Sequence, residues 1–218
     1  ASFLDGFPIS EAGIEEWSPA DRPGFEAMTV PAQVNYVGKG ANLYKLGYRF
    51  HGSAHVICRF LRNSWLWDRV RVQGGAYGAF CLFDRLSGTV TFVSYRDPNI
   101  LKTIDMFDQS SAFLKGLELS KDELTKGIIG SIGDMDDYKL PDAKGFTSMA
   151  RMIAGETDDD LQRIREDILG TKAEDFKSFA DVLDPVRNNG LVKVLGSQDA
   201  IQEVVNKRPG GLNVVKVM

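Results

Sequence analysis

The chain has few of the residues from which metal sites and disulfide frameworks are built. Its 218 residues include only two cysteines and two histidines. Cys58 and Cys81 fall in different predicted elements, so we expect two reduced core thiols and no disulfide framework, which is typical of a reducing compartment. A small secreted domain held together by disulfides is therefore excluded.

The sequence also lacks an excess of positive charge and a long apolar run. Its formal net charge is −4, which does not suggest a nucleic-acid partner. No apolar run reaches the length that spans a bilayer, and no secretory or transit signal opens the chain at Ala1, so we expect no membrane partner. With 43% hydrophobic and 26% charged residues, the composition is that of a soluble globular protein with a sizeable core.

The two histidines do not make a convincing metal pair. His51 and His55 are spaced i, i+4, which can place two imidazoles on one helix face. However, no glutamate stands between them, no third ligand is evident, and Gly52 and Ser53 suggest that His51 precedes the helix. One capping or surface histidine and one packed histidine are favoured, and no metal site is expected in this chain.

Acidic residues cluster at positions 134–137. A calcium loop needs oxygen ligands at alternating positions and a distal glutamate, and this cluster supplies neither. We interpret it as a helix end followed by a solvated loop.

A glycine turn at residues 69–78, with the sequence RVRVQGGAYG, carries the strongest functional signal. Gly74 and Gly75 allow a close backbone approach or a positive φ. Arg71 and Tyr77 flank the turn with a cation and a hydroxyl, which together can hold an anion, a peptide carbonyl or the oxyanion of an attacked carbonyl. From residue types alone, a binding role and a surface role for this pair remain equally open.

This turn is not a phosphate-binding loop. The Gly-Lys-Ser/Thr ending is missing, and the turn follows a helical pattern instead of opening one.

The periodicity of the sequence predicts a mixed order of elements. Strands are predicted at 27–37, 76–83, 89–95, 190–195 and 212–217, and helices at 51–67, from Asp97-Pro98 to about 117, and near 121–134, 142–154, 157–169, 172–184 and 197–206. Capping boxes are predicted at Ser120 and Thr171. This order indicates an α+β fold with a mainly antiparallel sheet covered on one face by helices.

The first 25 residues are rich in glycine, proline and charge. We interpret residues 1–25 as a connecting arm and residues 26–218 as the domain proper.

Four segments carry a resemblance to a known family. They are residues 33–39 (QVNYVGK), 65–78 (WLWDRVRVQGGAYG), 94–99 (SYRDPN) and 140–145 (LPDAKG). They resemble the C-terminal region of presequence proteases, which belong to the pitrilysin-like (insulin-degrading) zinc metallopeptidases. The resemblance covers roughly residues 26–218, and the sequences of these segments are most similar to those of the plant and algal organellar enzymes.

The resemblance implies an architecture for the longer enzyme. The family has four homologous α+β domains that close around a peptide, and this chain resembles the fourth, C-terminal one. Zinc is bound in the first domain by an inverted His-x-x-Glu-His motif, so the resemblance implies that another domain holds the zinc. Residues 52–59 resemble a decayed copy of that motif, with His55 at the first histidine place, Cys58 at the glutamate place and Arg59 at the second histidine place.

The resemblance also implies roles for the glycine turn. In the family an arginine and a tyrosine of the fourth domain hold the substrate backbone and support the tetrahedral intermediate. Arg71 and Tyr77 match that pair in type and spacing, with Gly74 and Gly75 as further substrate contacts. The implied function is that of the C-terminal domain of a metalloendopeptidase that degrades short unfolded peptides, such as cleaved targeting (transit) peptides.

Several further expectations follow from the resemblance. The partners would be the other domains of the same polypeptide and unfolded peptide substrates, and the isolated chain would be inactive. The location would be the mitochondrial matrix or chloroplast stroma in a eukaryote and the cytoplasm in a bacterium. Two alternatives remain open: a non-catalytic interaction module of the same fold, as in core or processing-peptidase-like subunits, and a stand-alone anion-binding domain.

Overall fold

The computed structural model describes residues 24–207 and 211–217, together with residues 6, 13 and 16–18. The strands are β1 (Phe25–Thr29), β2 (Asn35–Asn42), β3 (Gly78–Asp84), β4 (Thr89–Asp97), β5 (Leu191–Gly196) and β6 (Asn213–Lys216). The α-helices are α1 (Ser53–Asn63), α2 (Leu101–Asp108), α3 (Ser110–Lys115), α4 (Lys121–Met135), α5 (Pro141–Ala154), α6 (Asp158–Leu169), α7 (Ala173–Leu183), α8 (Val186–Asn189) and α9 (Gln198–Lys207).

The six strands form one sheet in the order β3-β4-β2-β5-β1-β6. The pairings β3–β4, β2–β4 and β2–β5 are antiparallel, whereas β1 runs parallel to both β5 and β6. Three of the five pairings are thus antiparallel, and the predicted α+β class with a mainly antiparallel sheet is confirmed.

The helices cover one face of this sheet. Along β4, Val90 and Phe92 are buried in the core, while Val93 and Tyr95 alternate with them and are only half-buried. The opposite face holds an open depression of about 330 Å³ whose described lining consists of strand residues, among them Met28, Tyr36, Phe80, Val93, Tyr95 and Leu195. Among the described residues, the period-2 alternation of the strands therefore separates a helix-covered core from an apolar surface that no helix covers.

Local sequence signals fix several helices as predicted. Helix α4 begins with the expected capping box: the Ser120 hydroxyl accepts a hydrogen bond from the Glu123 N–H (3.2 Å), and the Glu123 carboxylate accepts one from the Ser120 N–H (3.0 Å). The predicted helices near 142–154, 157–169 and 197–206 are also found, as α5, α6 and α9.

The predicted strand at 27–37 is wrong, because the structure has two strands there. Pro31 lies between β1 and β2, and proline lacks the N–H that a strand ladder needs. The break lets β1 and β2 pair on opposite sides of β5.

The capping box predicted at Thr171 is also wrong. Helix α7 is capped by Lys172, whose N–H donates to the Asp175 carboxylate (2.7 Å). Thr171 is buried and donates its hydroxyl to the Asp167 carbonyl of the preceding helix (3.1 Å). Because Thr171 is buried, its hydroxyl bonds to the preceding helix and does not cap α7.

The helix predicted to start at Asp97-Pro98 begins later, at Leu101. Asp97 is the last residue of β4 and is fully buried. Its carboxylate accepts hydrogen bonds from the Ser94 hydroxyl (2.6 Å), the Asn99 N–H (2.8 Å) and the Thr103 hydroxyl (2.7 Å). Asp97 thus joins the end of the strand to the first turn of α2 instead of capping a helix directly after itself.

Most of the predicted arm at 1–25 lies outside the described residues, so the division into an arm and a domain at 26–218 stays a prediction. Among the described residues, no helix combines the length and the apolar character needed to cross a membrane.

Replacing Asp97 tests how far the fold depends on this carboxylate. Asp97→Asn keeps the shape but turns one acceptor oxygen into a donor that faces other donors. We expect a loss of about 1–3 kcal/mol in the free energy of unfolding, measured by urea denaturation. Asp105→Asn, at an exposed position of α2, is the matched control and should change stability by less than about 0.5 kcal/mol. Equal stability of the two variants would contradict the proposed role of Asp97.

A buried lysine lies on the helix-covered face of the sheet. Lys39 of β2 is only 4% exposed, and its ammonium donates to the Asp108 carboxylate (2.5 Å) and to the Arg187 carbonyl (2.9 Å). Burial raises the pKa of Asp108, and the bond to Lys39 partly offsets that rise. The bond to Lys39 therefore lowers the energetic cost of burying the Asp108 carboxylate.

Removal of Lys39 should produce a pH-dependent loss of stability. Without Lys39 the pKa of Asp108 rises further above its ordinary value of 3.8, so the folded state binds the proton more tightly than the unfolded state. The stability of the Lys39 variant therefore falls as the pH rises from the pKa of Asp108 in the unfolded state to its higher pKa in the folded state. For Lys39→Met we expect little loss at about pH 3 and about 1–3 kcal/mol at about pH 7. The exposed Lys102→Met is the control, and a loss independent of pH would contradict the explanation.

Candidate functional site

The site begins in a local widening of the helix that precedes it. Helix α1 ends at Asn63, and residues Trp67–Val72 form a π-helix. The N–H of Gln73 donates to the carbonyl of Asp68, five residues earlier (2.9 Å). The regular helix predicted to continue to residue 67 is therefore interrupted. Such π-helical turns occur frequently at functional sites.

The glycine turn that follows is held from two sides. Gly75 has a φ of +82°, and a Cβ added at Gly74 would lie 2.4 Å from the Val70 carbonyl oxygen, so both positions require glycine. The Gly75 N–H donates to the Arg71 carbonyl (2.9 Å), and the Asn99 side chain donates to the Gly74 carbonyl (2.6 Å). The turn is thus tied both to the π-helix and to the loop after β4.

Arg71 projects from the π-helix and stacks on an aromatic ring. Its Cζ atom lies 3.9 Å from the centre of the Trp67 ring, and Trp67 is itself 48% exposed. This cation–π contact orients the guanidinium without using its N–H donors. Within the described part of the chain, Arg71 has no carboxylate partner. Its donors are available to a ligand.

Tyr77 lies at the other end of the turn, just before β3. Its side chain is 58% exposed, and its ring meets Tyr95 edge-on with 5.2 Å between ring centres. The Tyr77 N–H donates to the Arg96 carbonyl (3.3 Å). Among the described residues, no hydrogen bond to the Tyr77 hydroxyl is found, and no hydrogen bond or cation–π contact joins Tyr77 and Arg71. The structure therefore places both predicted residues at one turn but does not pair them.

Arg96 is a further residue of this site that the sequence reasoning missed. Its guanidinium lies 5.8 Å from the centre of the Tyr77 ring, and its φ is +49°. A positive φ in a bulky residue is strained, and such strain concentrates at functional sites. A backbone angle leaves no mark in the residue types, so no sequence signal could have selected Arg96 from the segment 94–99.

The two histidines take the places that the sequence favoured. His51 lies just before α1, and its Nδ1 atom is 2.8 Å from the Ser53 hydroxyl. His55 packs against the Phe50 ring, with 5.6 Å between ring centres. Burial and the nearby Arg85 lower the pKa of His55, which favours a neutral imidazole.

The residues at the places of the decayed zinc motif do not fit a metal ion. Arg59 forms an ion pair with Asp134, and a guanidinium has no lone pair to give to zinc. Cys58 is a buried thiol, and burial together with the neighbouring Cys58 raises the pKa of the Cys81 thiol. In the part of the chain that the structure describes, no three His, Cys, Asp or Glu side chains lie close enough to hold a metal.

Comparison with known proteins matches this chain to one family. Residues 25–198 match the PreP C-terminal domain. The whole chain is 48% identical to presequence protease 1, chloroplastic/mitochondrial, of Arabidopsis thaliana, and covers 20% of that protein. It is 36% identical to protein HypA of Clostridium perfringens over 82% of the chain and 18% of that protein. The chain thus spans about a fifth of the length of these relatives.

Solved structures share the fold. Pitrilysin aligns over 89% of this chain and 22% of its own, with a TM-score of 0.58 and 16% identity. A peptidase M16 inactive domain from Pseudomonas fluorescens aligns over 87% of this chain and 47% of its own, with a TM-score of 0.58 and 13% identity. At these identities the likeness concerns the fold alone. Together with the match over residues 25–198, these findings show that the chain belongs to the PreP C-terminal domain family, as its motifs predicted.

Proposed function

We propose that this chain is the C-terminal domain of a zinc metalloendopeptidase that degrades short unfolded peptides, cleaved targeting peptides among them. In this proposal Arg71 and Tyr77 hold the substrate. The observation that carries it is that both side chains offer polar groups without protein partners, within the described residues, at a turn whose backbone is fixed. The 48% identity to a presequence protease supports the proposal.

The chemistry of the two side chains suits a peptide carbonyl. The Arg71 guanidinium can donate to the carbonyl oxygen of the bound backbone, and the Tyr77 hydroxyl can donate to the oxygen on which charge develops. A preorganised donor of this kind contributes about 2.7–4 kcal/mol in hydrolases. Because Trp67 and Tyr95 already orient the two groups, little reorganisation is needed when the substrate arrives.

Gly74 and Gly75 complete the proposed substrate contacts. Without side chains, they let the substrate backbone approach the turn closely. In the proposal, zinc would activate the attacking water, and another domain of the same polypeptide would bind it. The relatives offer room for such domains, because the chain covers 20% of the Arabidopsis protein, which is therefore about five times as long.

The proposed location follows the names of the relatives. Those of Arabidopsis, Aspergillus oryzae and Xenopus laevis are named as chloroplastic or mitochondrial presequence proteases. In a eukaryote we therefore place the enzyme in the mitochondrial matrix or the chloroplast stroma, and in a bacterium in the cytoplasm.

Replacement of the two side chains in the full-length enzyme tests the proposal. Tyr77→Phe removes only a hydroxyl, and Arg71→Lys keeps the charge but removes the planar fork. For each we expect kcat/KM on a short unfolded peptide to fall by about 100- to 1000-fold, because a transition-state donor is lost. Zinc content, measured by elemental analysis, should stay unchanged.

The matched control is Tyr138→Phe, which removes the hydroxyl of another exposed tyrosine and should leave kcat/KM within about twofold of the parent. If the Tyr77 and Arg71 variants also keep their activity, the chain acts as a non-catalytic interaction module of the same fold. A rise in KM without a change in kcat would show that the pair binds substrate without stabilising the transition state.

The isolated chain should hydrolyse nothing. Because the places of the zinc motif hold Cys58 and an ion-paired Arg59, we expect no turnover of a fluorogenic peptide with the purified 218-residue chain and added zinc. The full-length enzyme, assayed in parallel, is the positive control. Turnover by the chain alone that a chelator abolishes would overturn the expectation.

A further inference from the structure

A pocket lies away from the glycine turn, and we call it the second pocket because the turn is the first proposed site. It has a volume of about 380 Å³, and none of the residues 71–77 lines it. Helices α1, α4 and α6 form its walls together with the edge strand β3 and Arg85. Its volume lies within the range of about 300–1000 Å³ that small-molecule sites occupy.

At the rim of this pocket, an arginine of α1 lies against α4. The Arg59 side chain crosses α4 at Gly130, where a Cβ atom would lie 2.3 Å from the guanidinium Nε atom. Arg59 then reaches Asp134, one turn further along α4. A side chain at position 130 would displace Arg59. The glycine therefore leaves room for the Arg59 guanidinium at the rim of the pocket.

The floor of the pocket is apolar. It is formed by side chains that are buried or half-buried, namely Phe83, Met135, Leu161, Ile164 and Ile168. The polar groups beside this floor are neutral. Burial and Arg85 lower the pKa of His55, and burial raises that of Cys81, so the imidazole and the Cys81 thiol add no charge. The interior thus favours an apolar body.

The rim of the pocket carries an excess of one positive charge. Arg59 is paired with Asp134, and Arg85 is paired with Glu156. Arg62 also lines the pocket, yet it has no carboxylate partner within the described residues. Its guanidinium rests over the Phe80 ring, 4.9 Å from the ring centre, which orients it and leaves its donors free. A guanidinium with free donors is the group best suited to a carboxylate.

We propose that this pocket binds a small ligand that joins an apolar body to a carboxylate, with the body on the apolar floor and the carboxylate at Arg62 and Arg59. Two sources share this chemistry: the C-terminus of a short peptide that ends in an apolar residue, and a medium-chain fatty acid. Neither Arg71 nor Tyr77 lines this pocket, so its ligand binding can be tested on this chain alone.

Calorimetric titration of the chain with paired probes distinguishes the sources. N-acetyl-leucine represents the peptide C-terminus and octanoate the fatty acid; N-acetyl-leucinamide and octanol are their uncharged counterparts. We expect saturable binding of at least one carboxylate, with its uncharged counterpart at least about tenfold weaker. The carboxylate that binds identifies the source. Binding of neither, equal binding of the uncharged counterpart, or equally tight binding of inorganic phosphate would overturn the proposal.

Two variants locate the binding. Arg62→Gln changes an exposed side chain and should weaken binding of the carboxylate by about tenfold or more without changing the melting temperature. Arg163→Gln, which alters an exposed arginine of α6 outside the pocket, is the control and should bind like the parent. Equal affinity of the Arg62 variant and the control would place the ligand elsewhere and overturn the assignment.

The two cysteines give an independent readout, because the chain has no others and both line the pocket. A bound carboxylate should slow their alkylation by iodoacetamide at least severalfold in the parent, and much less in Arg62→Gln at the same ligand concentration. Unchanged alkylation at a saturating concentration of the bound carboxylate would contradict binding in this pocket.

Discussion

The buried carboxylate of Asp97 is the interaction on which the site depends. It receives hydrogen bonds from Ser94, Asn99 and Thr103, so one side chain joins the end of β4 to the start of α2. Asn99, held in this way, donates to the carbonyl of Gly74. The position of the glycine turn is thus set by a hydrogen-bonded side chain buried in the core of the same domain.

The division of the sheet into two faces explains where the two proposed sites lie. Helices cover one face of the sheet, and the other face presents apolar and aromatic side chains from five strands. The glycine turn lies where the chain passes from the helical layer into the edge strand β3. The second pocket lies along the same strand, between it and the helices. Both proposed sites therefore lie at the border of the sheet, where side chains of both layers are within reach of a ligand.

Much of the fold could be predicted because its signals are local. The capping box at Ser120 and the glycine pair at 74–75 depend on neighbouring residues alone, and both were identified correctly. The errors arose where burial overrides local preference. Asp97 and Thr171 carry side chains that favour helix starts, yet both are buried and bind other groups. Burial of Lys39 is equally invisible to local patterns, because it depends on an ion pair with Asp108, which is distant in the chain.

The sequence by itself determined the family, the α+β class and the Arg71–Tyr77 turn, since motifs and periodicity are properties of neighbouring residues. Only the tertiary structure decided which polar groups are free. It stacks Arg71 on Trp67, brings Arg96 to Tyr77 with a strained backbone, and pairs Arg59 with Asp134, while Arg62 finds no carboxylate among the described residues. These contacts, apart from the helical neighbours Trp67 and Arg71, join residues distant in the chain, and only folding brings such groups within reach of one another.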